Sequence, residues 1–179
     1  MYLDQDGELF ELDVWKVDFS PTKSIILDGI ADTMSFNELY RLKGKRSSQE
    51  SCQRLKKEFP GFPISWLVAA MSEFPLAGCN FFLDPIDLDM EWMTVEKMVE
   101  ESKKFYPGIS STQHNYFPVG TCLYGSGNPY FINLNDSNKA VVQIPHDAID
   151  SKMQLKRGEV EAIFPTLSAL FKHAHRGQS

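Results

Sequence analysis

His146 and Asp147 stand side by side in the run Ile144-Pro145-His146-Asp147, and such a pair supplies adjacent ligands in metal-dependent hydrolases. A metal site needs several further His or Asp ligands. The other histidines are His114, His173 and His175, and the last two are spaced to face different sides of a helix. The residues therefore favour a hydrogen-bonding role for His146, with a hydrolase built on His146, Asp147 and His114 as the rival. Gly125-Ser126-Gly127 has no third glycine at dinucleotide-fingerprint spacing, and Pro129 blocks a helix from starting there. Ser126 lacks the strand-to-helix elbow of a hydrolase nucleophile. Asp87 and Asp89 are a carboxylate pair that reads as part of a solvated acidic loop. Three cysteines at unrelated spacings suit no metal site. Cys52 and Cys122 read as small buried hydrophobes, and Cys79 as the thiol able to reach the surface, with nothing local to activate it. No catalytic residue, metal or cofactor is expected from these patterns, and the chain reads as a non-enzyme.

The surface offers more. Asp84, Asp87, Asp89 and Glu91 run into Trp92. Dense charge around an aromatic is a common make-up for a protein-binding hot spot. His114 and Tyr116, in a loop entering a sheet, are expected to border the same region. The competing reading folds Trp92 onto the core beside Met90 and Met93.

Elements that would position these residues can be read from periodicity. Leu12 and Val14, then Trp15, Val17 and Phe19, alternate as strands with a change of phase, and residues 24–27 form a second short strand. Ser35-Phe36-Asn37-Glu38 and Ser47-Ser48-Gln49-Glu50 are capping boxes. The second opens a helix carrying Cys52, Leu55 and Phe59. Pro63 suits the first position of the next helix, where Ile64, Leu67, Val68, Met71 and Phe74 make one apolar face, ended by Pro75. Phe81-Phe82-Leu83 reads as a strand, followed by an acidic loop over 84–89. Thr94 caps a helix bearing Val95, Met98, Val99 and Phe105, stopped by Pro107-Gly108, and 109–116 reads as a polar loop. Three strands then follow, punctuated by turns at Gly125-Ser126-Gly127-Asn128 and Asn135-Asp136-Ser137-Asn138. A last helix, from about Pro165, carries Leu167, Leu170, Phe171 and Ala174.

A chain of 179 residues with 42% apolar side chains is large enough for a substantial core. No apolar run is long enough to span a bilayer, and Met1-Tyr2-Leu3-Asp4 does not begin a secretory signal, so a cytoplasmic protein is expected. The net charge of −6 argues against non-specific nucleic-acid binding and suits steering of a basic partner. Charge is segregated: Arg41, Lys43, Lys45, Arg46, Arg54, Lys56 and Lys57 gather early and read as a solvated face. Asp84, Asp87, Asp89, Glu91, Glu96, Glu100 and Glu101 follow, with only Lys97 among them.

The meander over Phe117-Pro118-Val119-Gly120, Tyr130-Phe131-Ile132 and Ala140-Val141-Val142, closing on His146-Asp147, resembles the SUKH superfamily. This group holds the Smi/Knr-type cell-wall-assembly regulators and bacterial immunity proteins. Phe62-Pro63-Ile64-Ser65-Trp66-Leu67 resembles the family's Leu-Pro helix, with Trp66 at its usual aromatic. Leu76-Ala77-Gly78-Cys79 departs from the Asn-Gly-Gly loop of many members. The resemblance spans 48–175 and leaves 1–45 as an N-terminal elaboration. It implies one α+β domain with a mostly antiparallel meander packed against helices. It also implies a protein-binding module that neutralises a toxin of the nuclease or deaminase class. A signalling or cell-wall-regulation scaffold is the alternative it allows.

Overall fold

Ser48 opens the first helix, α1 (Gln49–Glu58), by accepting the Ser51 backbone N–H at 3.1 Å. The computed structural model describes residues 39, 42–83 and 88–172. The expected N-terminal strands, the capping box at Ser35, and His173 and His175 lie outside these residues. The cap at Ser48 falls one residue beyond the Ser47–Glu50 box expected from sequence. Glu50 is thereby placed in the first turn, one position short of where it would reach back to the cap. Cys52, Leu55 and the C-cap Phe59 form the buried stripe.

The second helix, α2 (Ser65–Glu73), also begins later than expected. Its N-cap is the buried Ile64, which makes no side-chain cap, so Pro63 precedes the helix instead of opening it. Phe74 is extended at ψ 151°, as the residue before Pro75 must be to spare the proline ring.

Six strands follow: β1 (Asn80–Leu83), β2 (Leu88–Trp92), β3 (Tyr116–Cys122), β4 (Pro129–Asn133), β5 (Val141–Gln143) and β6 (Glu161–Phe164). They lie side by side in chain order, every neighbouring pair antiparallel. The three-strand meander read from Phe117 onward is present, and its first strand begins one residue earlier, at Tyr116. The supposed acidic loop is shorter, because β2 takes up Leu88 to Trp92 and includes Asp89. Between β2 and β3 stand α3 (Val95–Lys104), capped by Thr94 on the Lys97 N–H at 3.3 Å, and α4 (Gly108–Gln113). The second was read as a polar loop. Two of its three hydroxyls are spent internally instead: Thr112 Oγ1 donates to the Gly108 carbonyl at 2.7 Å and Ser110 Oγ to the Met153 carbonyl at 2.5 Å, while Ser111 is buried without a side-chain hydrogen bond among the described residues. A final helix, α5 (Leu167–Lys172), closes the described chain. The fold is α+β.

Alternation along the strands sorts the side chains to two faces. The inner face carries Phe81, Met90, Trp92, Phe117, Tyr130, Ile132 and Val141, packed in one cluster with apolar residues of α1, α2, α3 and α5. On the outer face Phe131 and Val142 are covered by Ile144, Ala148 and Leu155 from the 144–160 connection. That connection includes two short 3-10 turns, His146–Ala148 and Arg157–Glu159.

Candidate functional site

The β1–β2–β3 register puts Phe82 opposite Asp89, and Asn80 and Thr121 on either side of Glu91. Asp89 and Glu91 are two residues apart on β2, so both belong to the outer face. Each is half-buried. Glu91 is bound by Lys97 at 2.6 Å, an exposed pair worth on the order of 1 kcal/mol or less. Asp84 and Asp87 lie outside the described residues.

Trp92 points the other way. It is fully buried on the inner face, within 6.0 Å of the Phe81 ring and 5.5 Å of the Phe171 ring, and its Nε1–H donates to Met71 Sδ at 3.0 Å. The expectation of a partner-contacting Trp92 is corrected: the alternation Met90-Glu91-Trp92 sends the indole to the core and only the carboxylates outward. Leu88, Met90 and Trp92 alternating with Asp89 and Glu91 was the signal for this, and it was obscured by the density of acids.

Tyr116 shares the outer face, half-buried against the second apolar cluster. Four residues of β3 lie between it and Thr121, the partner of Glu91; the two face Asn133 and Pro129 on β4, about 13 Å apart along the strand. His114 caps the end of α4. Its N–H donates to the Ser111 carbonyl at 2.9 Å, and its own carbonyl accepts from Asn135 Nδ2 at 3.2 Å. The fold therefore joins Asp89 and Glu91 in one strip, sets Tyr116 at a distance on the same face, and leaves His114 at the α4–β3 corner.

His146 is exposed, with Nδ1 2.9 Å from the Tyr106 carbonyl. A carbonyl only accepts, so Nδ1 carries the proton. His146 makes a hydrogen bond of the kind read for it. Tyr106 precedes α4 and His114 follows it, so a helix about 9 Å long stands between the two histidines. His146, Asp147 and His114 do not share a site. Among the described residues no three His, Cys, Asp or Glu side chains are grouped to hold a metal ion.

The cysteines exchange the places expected of them. Cys79 is buried beneath the sheet edge and burial pushes its thiol up, whereas Cys122 is half-buried with Sγ 3.2 Å from the Tyr124 carbonyl. Cys52 is buried as expected, and burial raises its thiol too.

Glu101 was read only as one of the acidic run, because a Glu on the polar side of a helix gives no signal of burial. It is half-buried in the α3–α4 corner, where Oε1 accepts the Gly108 N–H at 3.2 Å. Burial pushes its carboxyl above the ordinary 4.5, against the lowering effects of that N–H and of His146. With a folded-state pKa above the unfolded one, the protonated acid favours the fold. Its contribution is complete below the unfolded value and is lost as pH rises through the folded value. Glu101→Gln keeps an acceptor for Gly108 and should remove this loss. Urea titrations across the mildly acidic range should show the variant gaining stability relative to the parent as pH rises. Parallel curves would overturn the assignment.

A family model described as a domain of unknown function (DUF6984) matches residues 1–26. No curated protein and no solved structure matches the chain. The matched stretch lies outside the described residues.

Proposed function

We propose that this chain is a non-enzymatic protein-binding module of the SUKH immunity type, which neutralises a toxin of the nuclease or deaminase class from the cytoplasm. The observation that carries the reading is the strip formed by Asp89 and Glu91 on the outer face of the sheet, beyond the apolar cluster that covers β4 and β5. A nucleic-acid-reading active site is basic, and a carboxylate strip on a protein of net charge −6 steers such a site toward it and can occlude it. The strip lies on β2, whose backbone is held on both sides by β1 and β3, so the charges are presented without a backbone ordering cost.

Asp89 is the residue to test, since Glu91 is already engaged by Lys97. Low-salt capture from native lysate is expected to yield a basic partner that is toxic alone and harmless when expressed beside this chain. Asp89→Lys should then slow association about tenfold and flatten its salt dependence. An unchanged association rate would remove the acidic strip from the interface. Capture of several signalling or cell-wall proteins instead would transfer the module to the scaffold class.

A further inference from the structure

Sheet register gives Asp89 an apolar neighbour on each side. Its partner on β1 is Phe82. Across from it, the Leu123 N–H donates to the Asp89 carbonyl at 2.8 Å, one residue past the end of β3 and in step with the pairs Met90–Cys122 and Glu91–Thr121. Residues opposite one another in an antiparallel pair send their side chains to the same face, about 5 Å apart at Cβ. Phe82, Asp89 and Leu123 therefore form one row across three strands on the outer face. The next row along, Asn80, Glu91 and Thr121, is polar.

The charge in this row is unmatched. Asp89 is half-buried, and its carboxylate makes no ion pair and no side-chain hydrogen bond among the described residues. Lys97, the cation bound on this face, is taken by Glu91. An exposed leucine alone would carry no message. Leu123 is 46% exposed, yet its backbone is fixed to that of Asp89, so its side chain stands beside the carboxylate in a set position. Phe82, half-buried, flanks the carboxylate on the other side. A carboxylate partly withdrawn from water between two apolar side chains calls for a cation that tolerates the same surroundings. A lysine ammonium is strongly hydrated. A guanidinium is weakly hydrated, meets a carboxylate with two parallel N–H groups and lies flat on apolar or aromatic surface.

We propose that this row is an arginine-binding site, which takes an arginine of a protein partner with its guanidinium on the Asp89 carboxylate and its aliphatic stem against Leu123 and Phe82. The inference rests on the reading of the outer face as the surface that meets a basic partner, and it adds which side chain of that partner is selected. Apolar contact beside the acids, expected of Trp92, is supplied instead by the two neighbouring strands.

The probe is a fluorescein-labelled peptide of alternating glycine and arginine, compared by anisotropy at low salt with a lysine peptide of the same length and charge. Both are drawn by the net charge of −6, so the deciding quantity is the ratio of their affinities. The arginine peptide should bind about fivefold more tightly. Leu123→Ser, at an exposed position, should leave the lysine peptide unchanged and cut the preference to about twofold or less. Asp89→Asn keeps the shape of the row and should abolish the preference, and Leu123→Ser serves if the Asp89 variant does not melt like the parent. Absence of saturable binding of the arginine peptide, equal affinity for the two peptides, or a preference that survives both substitutions would each overturn the proposal. The toxin-binding reading stands or falls separately, on the partner captured from lysate.

Discussion

Trp92→Ala should lower the free energy of unfolding by about 4 kcal/mol, as expected for removing a fully enclosed indole. The loss is large because two neighbours are themselves large and fixed. Phe81 comes from the first strand and Phe171 from the last helix, and their rings already touch at 5.9 Å, which limits how far they can close the gap. Trp92→Phe keeps most of the volume and gives up only the bond from Nε1–H to Met71 sulfur. It should cost about 1–2 kcal/mol. Urea denaturation of the pair separates packing from hydrogen bonding. The comparison also bears on function, since Trp92→Phe should leave partner association unchanged. A Trp92→Phe variant as stable as the parent that failed to bind would return Trp92 to the interface.

Gly108→Ala should be nearly as damaging, by about 3 kcal/mol, for a different reason. A methyl group there would run into the carbonyl of Glu101, which belongs to the backbone of α3, and into that residue's Oε1. Helix backbone has no room to retreat, so either α4 separates from α3 or the Glu101–Gly108 bond is lost. Gly120→Ala is the informative control. Its added methyl meets the Met90 side chain, and a thioether with three rotatable bonds can move aside. The expected cost is about 1 kcal/mol, and thermal melts of both variants would rank them. Equal melting temperatures would mean that the α3–α4 corner yields as easily as a methionine.

What could be read from sequence divides along physical lines. The β3–β5 meander was legible because Tyr130, Ile132 and Leu134 alternate between turn residues that leave the chain few options. Thr94 was legible as a cap because a helix of the right periodicity and charge order follows it. The errors arose where two local signals overlapped. Ser47 and Ser48 both offer a capping hydroxyl, and only packing of Cys52 and Leu55 decides between them. In 108–113 the polar composition suggested solvent, yet Thr112 and Ser110 are buried by bonding to carbonyls. Density of acids hid the period-2 pattern that makes β2 a strand and sends Trp92 inward. Of the residues proposed as a binding surface, Asp89 and Glu91 came together because a strand places every second residue on one side. Tyr116 and His114 followed from loop position alone, which says nothing of distance.

The order of the sheet has a consequence for how the chain is made. Because each strand lies beside the one synthesised just before it, closing each pair requires only the intervening residues, and the entropy of each closure is small. A ribosome could release this sheet strand by strand, each new one adding to the last edge. The first hairpin nevertheless cannot settle until the end, because Phe171 on the final helix completes the enclosure of Phe81 and Trp92. A nascent chain halted before Leu167 would hold most of its sheet and still expose the indole. Synthesis of the last described helix is therefore needed before this part of the core can close.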